Sequence, residues 1–430
     1  MDDAYVPLVI SFVIVFAILT IWLILYYNGT NQETEGFGDT VTKLMENVPD
    51  VPTIKLVEKS PKKNILQKIL GNINHSKIPF NIVKTDNGDY SLNVPDYTDY
   101  NFAGRGLVIA AAGNRYRYLT GLYSNLYVIR KYHKSNIPIE IFYVGKVEEF
   151  DYKIKGMILA LGNITIHNIL DKLDTISSED DLRGYQTKPL AVLCSSFEEV
   201  ILLDADALSF IDPQYLFQAE GYEKSGMLLF KDYVDCMSFI SRDFIETIGI
   251  GIDRYCDYTN DFEIDSSCVV LNKSMCWDAL YVICIINVKS DSYHKSKNVL
   301  GDKDVWLMGS MFVDFKPYIS SPAPNVMVSD QNKIIVGHLQ STIFDQEEVF
   351  THYNNQKIDL LGSELDGYTY AEVKNPRSGQ ENNYGLPLTD KIIGSFKHAK
   401  EGMMIIDPYI PSYLKDKVHF VNGVSKGLIA

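Results

Sequence analysis

Cysteine is scarce in this chain. Six occur in 430 residues, all between Cys194 and Cys284, and no two are spaced as CxxC. That pattern speaks against a structural zinc site built on paired thiolates. Positive charge is also short, with 40 Lys and Arg against 55 Asp and Glu and a formal net charge of −15. A nucleic-acid footprint, which is normally a basic patch, is therefore not expected, and the acidic surface serves solubility. Basic residues are missing altogether from the first 42 positions, the first being Lys43. The positive-inside rule then has little to count, and what there is weakly disfavours export of the large domain. No internal repeat is visible.

What is present reads as a globular chain behind an apolar leader. Hydrophobic residues make up 46% and aromatics 12%, and 430 residues is long for one soluble domain of roughly 100–200. Residues 6–27, VPLVISFVIVFAILTIWLILYY, carry no charge. About 20 such residues span a bilayer as a helix, and Trp22, Tyr26 and Tyr27 gather at one end as interfacial aromatics do. A cleaved signal peptide would want a basic start and small residues at the cut, whereas this one starts MDDAY and ends YYNGT. The expectation is a short tail (1–5), an uncleaved transmembrane anchor in the lipid bilayer (6–27), a polar stem or linker (28–100) and a globular domain (101–430). Sequons begin at Asn28, Asn74, Asn163 and Asn272, although such triplets also arise by chance. Cys194, Cys268 and Cys284 lie in apolar runs and read as core. Cys236 and Cys256 flank a more polar stretch and could pair in an oxidising lumen, a question that spacing alone leaves open.

The order of elements points to an α/β fold. RGLVIAAAGN (105–114) is a β-rich run. Leu119, Leu122, Leu126 and Ile129 follow at helical spacing. IPIEIFYVG (137–145) is the next strand, which completes a βαβ unit and implies a parallel sheet. TKPLAVLCSSF (187–197) reads as a helix feeding the strand EEVILLD, which stops at Asp204-Ala205-Asp206. In open α/β sheets ligands bind beyond the carboxyl ends of the strands. Carboxylates spaced i and i+2 point the same way if the chain stays extended, and their oxygens suit Mg²⁺ or Mn²⁺. A cation there would offset charge developing on a diphosphate leaving group. The bland reading is an acidic pair capping a helix or decorating a turn.

The segment KPLAVLCSSFEEVILLDADALSFIDPQYLF resembles the donor-binding region of glycosyltransferases with the nucleotide-sugar (GT-A) fold, a Rossmann-like mixed sheet flanked by helices. More closely, residues 101–345 resemble glycosyltransferase family 71, the fungal Golgi α-mannosyltransferases, in their α-1,3 branch. GMLLFKDY (226–233), EIDSSCVVLNKSMCW (263–277) and GDKDVWLMG (301–309) follow in the family's order. The resemblance implies retaining transfer of mannose from GDP-mannose, with Mn²⁺, onto a glycan or glycoprotein acceptor in protein glycosylation. It also implies a type II protein of the Golgi or ER membrane with its catalytic domain in the lumen. Where the family reads Glu-Ser-Gly-Gln, this chain has Asp265-Ser266-Ser267-Cys268, a change in the pocket wall near the sugar. The last 85 or so residues resemble nothing.

Single residues then take candidate roles beside their plainer readings. Asp204 and Asp206 are expected metal ligands, with His338 of IIVGHLQ as a third, since neutral imidazole suits Mn²⁺; its plain reading is a surface or capping histidine. Asp265, near Glu263, is the expected group on the sugar's far face, as nucleophile or ion stabiliser. Asp304 is expected to reach the sugar or the reacting centre, although Asp302 and Asp304 also suit a helix start. Arg115 and Lys188 are expected diphosphate partners, though exposed basic residues are common. Gly113 and Asn114 are expected to let the backbone approach the base, with Ala205 lining the donor. Two other classes fit parts of the pattern. A haloacid-dehalogenase-type phosphatase also places D-x-D after a strand, but its motif opens the domain and carries Thr or Val where Leu208 stands here. A catalytically dead, glycan-binding or scaffold relative of the transferases would explain the altered 265–268 segment but leaves the intact aspartates unexplained.

Overall fold

Alternating side chains along four neighbouring strands bury both faces of one sheet. Leu107 and Ile109, Ile139 and Ile141, Ile201 and Leu203, and Cys268 and Val270 enter one core. Val108, Phe142, Val200 and Leu202, and Val269 and Leu271 enter the other. Strands covered on both faces are expected of a parallel α/β sheet. The computed structural model describes residues 94–415, apart from 174–181, 183, 290–298, 330–334, 342–347, 353–367 and 373–382, and a small sheet of β1 (Ile54–Leu56), β2 (Ile82–Lys84) and β3 (Tyr90–Leu92). The expected anchor and the sequons at Asn28 and Asn74 lie outside the described residues. No helix among the described residues is long and apolar enough to cross a membrane.

The chain runs β4 (Arg105–Ala110), α1 (Tyr116–Tyr127), β5 (Ile139–Tyr143), α2 (Tyr152–Leu159), β6 (Ile164–Asn168), α3 (Thr187–Cys194) and β7 (Glu199–Leu203). These four strands are mutually parallel. After them come β8 (Ala207–Ser209), α4 (Glu220–Ser225), β9 (Met227–Asp235), α5 (Arg242–Thr247), α6 (Ile252–Thr259), β10 (Phe262–Asn272), α7 (Lys273–Lys289), α8 (Val305–Phe312) and β11 (Tyr318–Ile319). The seven-stranded order is β11-β9-β10-β7-β4-β5-β6, with β10 antiparallel to both its neighbours. The sheet is thus mixed, as expected. Strand order reverses between β4 and β7, which opens a crevice at their carboxyl ends.

A second, antiparallel sheet joins strands of the C-terminal third to β8. Its order is β16-β15-β12-β13-β14-β8, from β12 (Asn325–Ser329), β13 (Ile335–Ser341), β14 (Glu348–His352), β15 (Tyr368–Glu372) and β16 (Asn383–Leu386). The last helix, α9 (Asp390–Ile406), lies on α1, where Gly402 allows contact because a Cβ there would stand 2.8 Å from that of Tyr127. The body also begins before residue 101. Tyr97, Tyr100 and Phe102 cluster on Trp277, whose Nε1 donates to Pro95 O at 2.7 Å. Cys236 and Cys256 form a disulfide, and the other four cysteines are free and buried.

Lys273 is the least expected core residue. It is fully buried, and its ammonium donates to Ser195 O at 2.6 Å, Ser195 Oγ at 3.0 Å and Leu193 O at 3.3 Å, with the Phe102 ring centroid 3.9 Å away. It thereby satisfies carbonyls left open at the end of α3. Burial pushes its pKa down to about 7, whereas an unfolded lysine titrates at about 10.4. Between those values the unfolded chain holds more protons, so this group makes stability rise with pH across that window. Lys273→Met should flatten that rise and, near neutral pH, cost about 1–3 kcal/mol through the carbonyls left without a donor. Denaturant titrations at pH 7 and pH 9.5 measure both effects.

Candidate active site

The polypeptide leaves β7 and turns at once into the second sheet. Ala207 N donates to Asp204 O at 3.0 Å, closing a tight turn over Asp204-Ala205-Asp206, and Asp204 N is held by Ser267 O at 2.8 Å. The chain does not stay extended, as the i, i+2 argument supposed; the turn itself aims the carboxylates. Helix α1 supports the turn from behind, since a Cβ on Gly121 would stand 2.9 Å from Ala205 O.

The third member of the cluster arrives through strand pairing. β14 pairs with β8 so that His352 lies opposite Ala207. His352 Nε2 is 3.8 Å from Asp204 Oδ2 and 3.7 Å from Asp206 Oδ1, while its Nδ1 is 3.5 Å from Asp265 Oδ2. One ligand atom from each of Asp204, Asp206 and His352 lies within 4.8 Å of the others. His338 sits on β13 with its backbone opposite His352, but its side chain lies outside the described residues. The histidine that the structure brings to the aspartates is His352, which sequence reasoning missed.

The charges around this cluster are set by burial and mutual contact. Burial works to lower the His352 pKa, but Asp265, Asp206 and Asp204 outweigh it and hold it up at about 9. Burial pushes Asp204 up to about 6, although Lys188 and His352 pull the other way. Lys188, on the first turn of α3, contacts Asp204 Oδ1 at 2.8 Å, Asp302 Oδ1 at 3.0 Å and Ser266 Oγ at 3.3 Å. Its burial favours the neutral amine, yet the two carboxylates prevail and raise its pKa. Arg117 lies 3.9 Å from Asp206. The cluster therefore demands positive charge. Two hard carboxylate oxygens and one imidazole nitrogen are a donor set that suits Mn²⁺. Asp265 stands behind the histidine as a carboxylate stands behind many metal-binding imidazoles, and its other oxygen accepts from Ser267 N at 2.6 Å.

These groups line a cleft of about 810 Å³ at the carboxyl end of the sheet, within the range of ligand pockets. Asn114, Arg115, Lys188, Asp204, Ala205, Asp206 and Asp265, all predicted from sequence, line it together. Tyr118 and Tyr185 line it close to Arg115 and Arg117. Gly113 does not line the cleft; its close approach is to its own chain, where a Cβ would meet Glu149 O at 2.7 Å. Asp304 does not line it either. It is fully buried, and Oδ1 accepts from Tyr255 OH at 2.6 Å and Ile264 N at 2.9 Å. Burial pushes it up to about 7. The acidic residue of that motif that faces the cleft is Asp302, with Lys303 beside it. A helix-start pattern gives both aspartates the same weight, and only packing on Tyr255 separates them.

The chain has relatives of known class. It is 28% identical over 149 residues to Alpha-1,2-mannosyltransferase MNN21 of Candida albicans, covering 33% of this chain and 22% of that one. It is 22% identical over 323 residues to Alpha-1,3-mannosyltransferase MNT3 of Saccharomyces cerevisiae, covering 66% and 49%. The chain thus spans less than half the length of these curated relatives. Among solved structures, that of the mannosyltransferase Ktr4p from S. cerevisiae in complex with GDP matches 50% of this chain and 66% of its own, at 10% identity and a TM-score of 0.31. The mannosyltransferase family Mannosyl_trans3 matches residues 104–342, more than half of the sequence. The chain belongs to that family, the fungal mannosyltransferases of glycosyltransferase family 71.

Proposed function

We propose that the protein is a retaining, metal-dependent glycosyltransferase that moves mannose from GDP-mannose onto a glycan acceptor. One observation carries the reading: in a member of a mannosyltransferase family, Asp204, Asp206 and His352 converge at the carboxyl end of β7, inside the cleft. Asp204, Asp206 and His352 would hold Mn²⁺ or Mg²⁺, which when bound offsets charge on the departing diphosphate.

The chain's own residues do the rest. Lys188, fixed between Asp204 and Asp302, keeps a permanent positive charge beside the diphosphate. Arg115 and Arg117, at the start of α1, add cationic donors where a helix N-terminus already favours anions. Asp265 orients His352, and as a cleft carboxylate it is the group we assign to stabilising positive charge on the sugar. The Cys236–Cys256 disulfide agrees with an oxidising lumen. Together with residues 6–27 as a bilayer anchor, it supports a type II protein of the Golgi or ER.

The test is to incubate purified protein with GDP- and UDP-sugars and Mn²⁺, and to follow product anomers by NMR. The expected result is preference for GDP-mannose and an α-mannoside product. A UDP-sugar preference overturns the donor, and a β-linked product overturns retention.

A further inference from the structure

One part of the cleft wall is built around an aromatic ring. Phe239 lines it and is 46% exposed, yet it is held from several sides. Its N–H donates to Glu263 Oε1 at 2.6 Å. The Lys303 ammonium stands 4.8 Å from its ring centroid and is itself fixed by Glu263 Oε2 at 2.5 Å and Asp232 Oδ2 at 2.9 Å. Three residues before it, Cys236 is tied by disulfide to Cys256 of α6, and Ser238 N closes a turn onto Asp235 O at 3.1 Å. Glu263 is fully buried. Burying such ions does little for stability in itself, so core stability does not account for the arrangement. Its visible effect is to hold one exposed aromatic ring still in the wall of a binding cleft.

The electrical character of this wall narrows its occupant. Asp232, Glu263 and Lys303, which surround Phe239, sum to one formal negative charge. Such a surrounding does not attract a diphosphate. A neutral ligand with an apolar face and hydroxyl edges fits: the C–H face of a pyranose lies against an aromatic ring, and a carboxylate accepts from its hydroxyls. Asp232 lines the cleft and accepts from Lys303 Nζ and from Tyr233 N at 2.7 Å.

We propose that Phe239, with Asp232 beside it, is a preset platform for one pyranose ring of the saccharide acceptor. The proposal rests on the glycosyl-transfer reading, and a binding experiment without donor separates the two. α-Mannobiose is titrated into the full-length protein by calorimetry, and its KM is measured in transfer from GDP-mannose. Donor hydrolysis without acceptor is measured alongside. Phe239→Ala should weaken mannobiose binding and raise its KM at least tenfold, with donor hydrolysis changed less than twofold. Phe239→Leu, which keeps apolar bulk without a ring, should lose the same affinity, and Phe239→Trp should retain it. Melting temperature and disulfide content check that each variant is folded. Wild-type protein that does not bind mannobiose, or Phe239→Ala and Phe239→Leu variants that bind it as wild type does, would overturn the platform. Ring-dependent mannobiose binding in a protein that does not turn over GDP-mannose would leave the platform standing and overturn the reaction.

Discussion

Asp206→Asn should lose about three orders of magnitude in kcat while remaining folded. The substitution keeps shape and removes one charge from the three-residue cluster. Metal stabilisation of a leaving group amounts to several kcal/mol, and each ~1.4 kcal/mol is tenfold in rate. The Mn²⁺ concentration for half-maximal activity should rise as well. Stability should move by less than about 1 kcal/mol, because a carboxylate at a strand end that faces a cleft supports little packing. A turn or cap residue would behave in the opposite way, costing about 0.5–2 kcal/mol of stability and sparing turnover. Melting, Mn²⁺ dependence and turnover measured on one preparation separate the two.

Lys188→Met should be the most destabilising single change in the cleft. It leaves Asp204 and Asp302 without the ammonium that now lies within 3.0 Å of both. Breaking a buried ion pair by removing one partner costs about 3–5 kcal/mol. Uptake of a proton by Asp204, already raised to about 6, should soften that loss at acid pH. Added Mn²⁺ should replace part of the missing charge, so the variant should gain more in melting temperature from Mn²⁺ than wild type does. Thermal melts with and without Mn²⁺ are the check. Equal metal-induced shifts in the two proteins would show that Lys188 does not balance the metal-site carboxylates.

Much of this site could be read in the sequence, and the missing parts have a common cause. The β4–α1–β5 unit and the α3–β7 approach to Asp204 follow from local periodicity, so the cleft end and its aspartates were legible. Lys188 was legible as well, because it lies one helix before β7. His352 was not. It reaches Asp206 from far along the chain through β8–β14 pairing, and histidines such as His338 in a neighbouring strand carry the same local signal. The motif that could have found it is an apolar strand ending in histidine, as in EVFTH, but that pattern is weak alone. Asp302 and Asp304 share one helix start, and long-range contact with Tyr255 and Ile264 decides which one is buried. The pairing of Cys236 with Cys256 likewise depends on how β9 and α6 meet. Phe239 carried no signal at all, since its platform is made by Glu263 and Lys303 from two other elements.

The central claim is that the Asp204–Asp206–His352 cluster holds a divalent cation that sugar transfer requires. The most direct measurement is GDP-mannose turnover by the purified protein in excess chelator, followed by stepwise return of Mn²⁺. Turnover should fall to background and return with saturation, and His352→Ala should shift that saturation to higher Mn²⁺. Full turnover in the presence of chelator would contradict the account.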